Sequence, residues 1–173
     1  MAEQDQGTEF GENMAFYSDR HPSPALRTAL NAQYVTSRDG KPTIAIEIAP
    51  LTRANTPPEW DKKITLQLTQ AELTGFCQVL FGLKPEVKGA YHGDNRNKGV
   101  AAYDNGPGGV GITVSQQGTQ LQHQLNPDSR IELSVFVLRR LSEAWKVAPA
   151  DAVALLRQFA LLGRQSRQQN NSR

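Results

Sequence analysis

A single cysteine, Cys77, stands among the 173 residues. It excludes an intrachain disulfide framework and favours an intracellular protein. Its helical spacing puts it on an apolar face, where a small thiol packs rather than reacts. Histidine is equally scarce. His21, His92 and His123 are the only three, and none has a cysteine or a second histidine at ligand spacing, so no metal is expected. No apolar run approaches the ~20 residues of a membrane-spanning helix, and the start lacks a signal-peptide pattern. A cytoplasmic protein without membrane association is therefore expected, nucleoid-associated if the source is bacterial. No Ser-His-Asp set, HExxH, paired-carboxylate motif or dinucleotide fingerprint is present, so the expectation is a non-enzyme with no cofactor. Net charge is also small, at +2, which gives no strong whole-molecule field.

The charges that are present are unevenly placed. Residues 1–12 hold Glu3, Asp5, Glu9 and Glu12 with no base, whereas residues 163–173 hold Arg164, Arg167 and Arg173 with no acid. Both ends are expected to be disordered tails, one acidic and one basic, around a single domain at 13–162.

Within that domain the stretch Lys62–Gly82, KKITLQLTQAELTGFCQVLFG, changes period. Ile64, Leu66 and Leu68 alternate with Thr65 and Gln67, the pattern of a half-buried strand. Thr69 and Glu72 then form a capping box. Leu73, Phe76, Cys77 and Leu80 follow at helical spacing. The same grammar recurs downstream. Leu121, His123 and Leu125 alternate with glutamines, Asn126 caps, Pro127 takes the first helical position, and Ile131, Val135, Leu138 and Leu141 run on to Trp145. Trp60 and Trp145 are expected to pack. His123, on the apolar side of its strand, has the place of a core or interface imidazole.

Three further strands precede each junction. In the first half they lie near 14–17, 29–36 and 43–49, with an Asp39-Gly40 hairpin signal. In the second they lie near 87–93, 98–104 and 110–116. The glycine-rich string Asn105-Gly106-Pro107-Gly108-Gly109 lacks a Walker lysine and leads into a strand, so a hairpin turn is expected rather than a nucleotide loop. The fold class expected is α+β: two tandem β-β-β-β-α units, about 13–83 and 87–146, forming antiparallel sheets packed with helices. An extra C-terminal helix at 151–162 is closed by Gly163.

This element order, over roughly 14–145, resembles the whirly proteins and the trypanosomal mitochondrial guide-RNA-binding proteins. Each unit is similar to the positive-cofactor-four coactivators. Whirly proteins carry a lysine-glycine-lysine-alanine segment on a strand; the nearest string here, Lys98-Gly99-Val100-Ala101-Ala102, lacks the second lysine. The resemblance implies binding of single-stranded nucleic acid and assembly through the helices, in whirly and guide-RNA members as tetramers.

Single-strand binding needs cations for phosphates and flat aromatics for stacking, at about 1–3 kcal/mol per base. Lys88, Tyr91, His92, Arg96, Lys98 and Tyr103 fall close together in sequence. Strict alternation puts Lys88 and His92 on one side of their strand and Tyr91 on the other. Tyr34, Arg38 and Lys41 flank the first hairpin, and Lys62 and Lys63 precede the junction strand. Gln120, Gln122 and Gln124 line a solvent face. On the second long helix, Leu133, Phe136, Val137 and Leu141 widen the apolar surface beyond one stripe. They are expected to join copies into a dimer or tetramer, the alternative being a larger core shared with 151–162. The expected function is binding of single-stranded DNA or RNA in DNA/RNA metabolism. The alternative is an assembly or adaptor module using the same frame without nucleic acid.

Overall fold

The computed structural model describes residues 11–18, 21–52 and 55–172. It shows two four-stranded antiparallel meanders in strict sequence order, each followed by a helix. The first sheet comprises β1 (Asn13–Tyr17), β2 (Thr28–Thr36), β3 (Pro42–Pro50) and β4 (Ile64–Gln67), and leads into α1 (Gln70–Leu80). The second comprises β5 (Glu86–His92), β6 (Lys98–Asp104), β7 (Val110–Gln116) and β8 (Thr119–Leu125), and leads into α2 (Pro127–Trp145). A third helix, α3 (Pro149–Asn171), closes the chain. This is the α+β duplication that the two periodicities predict.

Local chemistry explains the joints. The Thr69 side chain accepts from the Glu72 N–H while Glu72 accepts from the Thr69 N–H, completing the capping box of α1. Asn126 accepts from the Ser129 N–H at the start of α2, with Pro127 behind it. The β7–β8 turn places Gln117 and Gly118 both at positive φ, 49° and 81°, as a two-residue hairpin of matching twist requires.

Cross-strand register assembles the core. Phe16, Leu30, Ile48 and Ile64 form one row across the first sheet, and Met14, Ala32, Ile46 and Leu66 the next. In the second sheet the rows are Val87–Ala102–Ile112–His123 and Gly89–Val100–Val114–Leu121. The helices lie on these faces, α1 against β5, β6 and β3, and α2 against β3, β1 and β8. Two glycines let α1 approach β5. A Cβ on Gly75 would sit 2.6 Å from Val87 Cγ2, and one on Gly89 only 1.5 Å from Glu72 Oε2.

Three sequence expectations change here. Leu133, Phe136, Val137 and Leu141 are fully buried inside the chain itself, so they are out of reach of a second copy. The reason is that α2 is covered on two sides, by the sheets and by α3, whose Ala152 and Leu156 are buried. Gly163 does not close α3. The helix runs through it to Asn171, because the flanking Leu, Arg and Gln residues are good helix formers and one internal glycine costs only about 1 kcal/mol. Glu12 is fixed rather than trailing: its carbonyl accepts from the Tyr34 N–H at 2.8 Å, and its carboxylate meets Arg139 at 2.5 Å. The rest of the acidic stretch, at 1–10, and Arg173 lie outside the described residues. Trp145 packs against the core and Trp60 is half-buried in a short 3-10 turn.

Candidate nucleic-acid interface

The residues of β5–β8 that alternate with the core rows form the other face of the second sheet. Its rows are Glu86–Tyr103–Gly111–Gln124, Lys88–Ala101–Thr113–Gln122 and Gly99–Ser115–Gln120. The floor is therefore glycine, alanine, serine and threonine, with longer side chains only at the rims. A cavity of about 390 Å³ on this face is lined by residues of β5–β8 alone, among them Lys88, Ala101, Tyr103, Thr113 and Gln120. Among the described residues, no other element supplies a wall. Flat groups can thus approach the sheet closely between Tyr103 on one side and the glutamines on the other.

The rim groups are largely uncommitted. Lys88 Nζ lies 5.8 Å from the Tyr103 ring centroid and 3.4 Å from Glu86 Oε2. The latter is an exposed pair that a phosphate can replace at little cost. The side chains of Gln120 and Gln122 have no hydrogen-bond partner among the described residues. Gln124 is held by the β6–β7 turn, donating to the Gly108 carbonyl at 3.0 Å.

Tyr91 occupies the edge of this face in an unusual way. The β5–β6 register slips between Gly89 and His92, a β-bulge. Tyr91 sits in it at φ 62° with its side chain 79% exposed. Left-handed backbone costs a non-glycine residue about 1–2 kcal/mol. Tyrosine here gains no burial to offset that cost.

The bulge also corrects the strict alternation. One extra residue reverses the parity beyond Gly89, so His92 leaves the side that Lys88 occupies. It turns inward, with Nε2 2.8 Å from Glu72 Oε2, both side chains about one-tenth exposed (10% and 11%). Lys98 is likewise structural, donating to the Thr65 carbonyl at 2.8 Å. Arg96 is exposed at the hairpin tip, at φ 51°.

Among the first-half candidates, Tyr34 is not on a surface. Its parity matches Ile44, on the core face. Its hydroxyl donates to the Phe136 carbonyl at 2.5 Å and its ring centroid lies 4.2 Å from that of Phe136. Burial pushes its hydroxyl pKa up to about 12. It cannot stack on a base. Arg38 lies 3.8 Å from Asp94, so the tips of the β2–β3 and β5–β6 hairpins meet. Lys41 pairs with Asp39, Lys62 with Glu59 and Lys63 with Glu47. The structure thus gathers Lys88, Tyr91 and Tyr103 on or beside one face and Arg96 near it. It sends Tyr34, His92 and Lys98 into supporting contacts. The sequence signal of the small-residue floor is the alternation of Gly99-x-Ala101 and Gly111-x-Thr113-x-Ser115 with the apolar core positions.

Other chemistry is thin. Burial raises the Cys77 thiol to about 12, which leaves it inert. Burial lowers His123 to about 4; its Nδ1 lies 2.9 Å from Thr28 Oγ1, latching β8 to β2. No cluster of three metal-ligating side chains occurs among the described residues. No helix among them is long and apolar enough to cross a membrane.

No protein-family model matches the chain, and no curated protein matches it in sequence. Solved structures match it in fold. WHY3 from Arabidopsis thaliana aligns with TM-score 0.52 at 13% identity, covering 78% of this chain and 89% of that one. The plant transcriptional regulator PBF-2 aligns with TM-score 0.55 at 11% identity, covering 78% and 90%. MRP1/MRP2 from a trypanosome align with TM-score 0.50 at 12% identity, covering 76% and 83%. The fold is whirly-like, as the element order alone suggests.

Proposed function

We propose that this chain is a non-enzymatic single-stranded nucleic-acid-binding protein, of DNA or RNA, that works in the cytoplasm as a homo-oligomer in DNA/RNA metabolism. The observation that carries the reading is the free face of β5–β8. It pairs a close-approach floor with Lys88 and Tyr103 at one rim, hydrogen-bonding glutamines at the other and an exposed, strained Tyr91 at its edge. That is the combination a single strand needs: a cation for phosphate, a ring for stacking, and amides for base edges. The binding of unpaired nucleic acid implied by the whirly resemblance supports it, as does the likeness in fold.

Oligomerisation is supported by apolar side chains that the fold leaves uncovered. Ile131 and Val135 on α2, and Leu155 and Leu162 on α3, are exposed and sit at helical repeats of four and seven residues. These replace the buried Leu133 set as the proposed contacts of a dimer or tetramer. The same apolar surface favours a second reading, an assembly module without nucleic acid.

Fluorescence polarisation with labelled oligo-dT at two salt concentrations separates the two. Binding that weakens steeply with salt, and that prefers single strand to duplex, is expected. An intact oligomer that binds no oligonucleotide at low salt would leave the assembly module standing.

A further inference from the structure

A second concave site lies outside the sheet face. It is a cleft of about 450 Å³ between α3 and the loop that leads into β5, with the β6–β7 turn as its end wall. Lys84, Arg164 and Arg167 line it, together with Phe159 and Gly163. The three cations are exposed, and none has an ion-pair partner among the described residues. The one acid in the lining, Asp104, is already engaged by Arg130, whose Nη1 donates to Asp104 Oδ1 at 2.9 Å. Among the described residues, therefore, three unpaired positive charges line one cavity whose single acid is already engaged. Phe159, 59% exposed, offers an unused ring at its mouth.

The cleft and the sheet face share an edge. Tyr103 looks onto the open face, and the next residue, Asp104, forms the cleft wall. Lys84 stands just ahead of β5, an edge strand that carries Lys88 on the open face. The β5–β6 ladder continues to this point, with the Asp104 N–H donating to the Pro85 carbonyl at 2.9 Å. The cations of α3 also lie off its apolar flank. At 100° per residue, Arg164 and Arg167 point well away from Leu155 and Leu162.

We infer that α3 is the second half of the nucleic-acid track. A single strand that stacks on the β5–β8 face continues over the end of β5 into this cleft, where Lys84, Arg164 and Arg167 hold its phosphates and Phe159 stacks a base. This rests on the proposed single-strand binding, but makes a separate demand: affinity must depend on strand length. A short oligonucleotide occupies the sheet alone, whereas a longer one reaches α3.

The experiment compares labelled oligo-dT of about 8 nucleotides, within the roughly 4–16 that one comparable module covers, with about 24, well beyond it. The protein is the full chain, as wild type and as the combined Lys84→Gln, Arg164→Gln, Arg167→Gln variant. All three positions are exposed, so the fold is retained, and helicity by circular dichroism checks it. The wild type is expected to bind the longer strand at least roughly tenfold more tightly per site. The variant is expected to lose that advantage and to lower the salt slope by about 2, since each phosphate contact on a single strand contributes about 0.7. Binding of the short strand stays unchanged. A variant that binds the long strand with wild-type affinity and slope overturns the track while leaving the sheet-face reading intact. A wild type that binds neither strand overturns both.

Discussion

Glu72 and His92 meet across the packing of the first helix on the second sheet, Oε2 to Nε2 at 2.8 Å, while Glu72 Oε1 accepts the Thr69 N–H at 2.9 Å. One carboxylate thus caps α1 and anchors the end of the hairpin arm that carries Tyr91. Replacing Glu72 with alanine removes its half of the capping box, leaving only the Thr69 side chain on the residue-72 N–H, and leaves His92 without its partner. The expected loss is about 2–3 kcal/mol of stability by denaturant titration. Gly89→Ala should approach the same result, because the new methyl group occupies the position of the carboxylate oxygen. If both variants stay within about 0.5 kcal/mol of wild type, the shared anchor is not a determinant of the fold.

Tyr91 should show opposite signs in stability and binding. Tyr91→Gly relieves the left-handed strain, so it is expected to stabilise the protein by up to about 1 kcal/mol. The same change removes the ring proposed to stack on a base and is expected to weaken oligo-dT binding by about 1–3 kcal/mol. Binding lost while stability rises would mark Tyr91 as a position where strain is kept for function. A variant that is less stable, or that binds as well as wild type, would show that the ring serves packing.

His123 gives a pH dependence with a defined direction. Burial holds the folded imidazole near 4, against an ordinary value of 6.5. Between these values the unfolded chain binds a proton that the folded chain refuses. Stability therefore falls as pH drops from about 6.5 towards 4, and is unaffected by this group above that window. The upper bound of the effect is about 3 kcal/mol. Denaturant midpoints for wild type and His123→Leu across this range test it: the variant, whatever its starting stability, should show the shallower slope.

Arg130 ties three elements together. It donates to the Leu80 and Val79 carbonyls at the end of α1, at 2.9 and 3.1 Å, and to Asp104 at the end of β6. Its hydrogen bond holds the Asp104 carboxyl below the usual range. That stabilisation is present at neutral pH and fades as pH falls through the depressed value. Arg130→Met keeps the stem but removes the donors, and should cost about 2 kcal/mol at pH 7. Asp104→Asn in the Arg130→Met background should then cost little more, which a double-mutant cycle would reveal as coupling.

Much of the frame was legible in the chain. The switch from a period of two to a period of 3.6 at Thr69 and again at Asn126 marks both strand-to-helix junctions, and capping residues stand at each. Tyr34 shows where that legibility ends. Its place beside the first hairpin, with Arg38 and Lys41, suggests a surface ring, but Phe136 and Arg140 arrive from α2 to cover it, the guanidinium 4.9 Å from the ring centroid. His92 shows the same limit from another cause. A bulge inserts one residue, and no periodicity count anticipates the reversal that follows.

Sequence alone determined the order of the elements, their boundaries at the caps, and the pairing of each strand with the next. These depend on contacts between residues close along the chain, where local chemistry is decisive. Tertiary structure alone decided which face of each sheet stays open, which apolar residues of α2 are enclosed, and that the cations of α3 face Lys84 across a cleft. Alternation divides a strand into two faces, but only the element that packs on one of them leaves the other free.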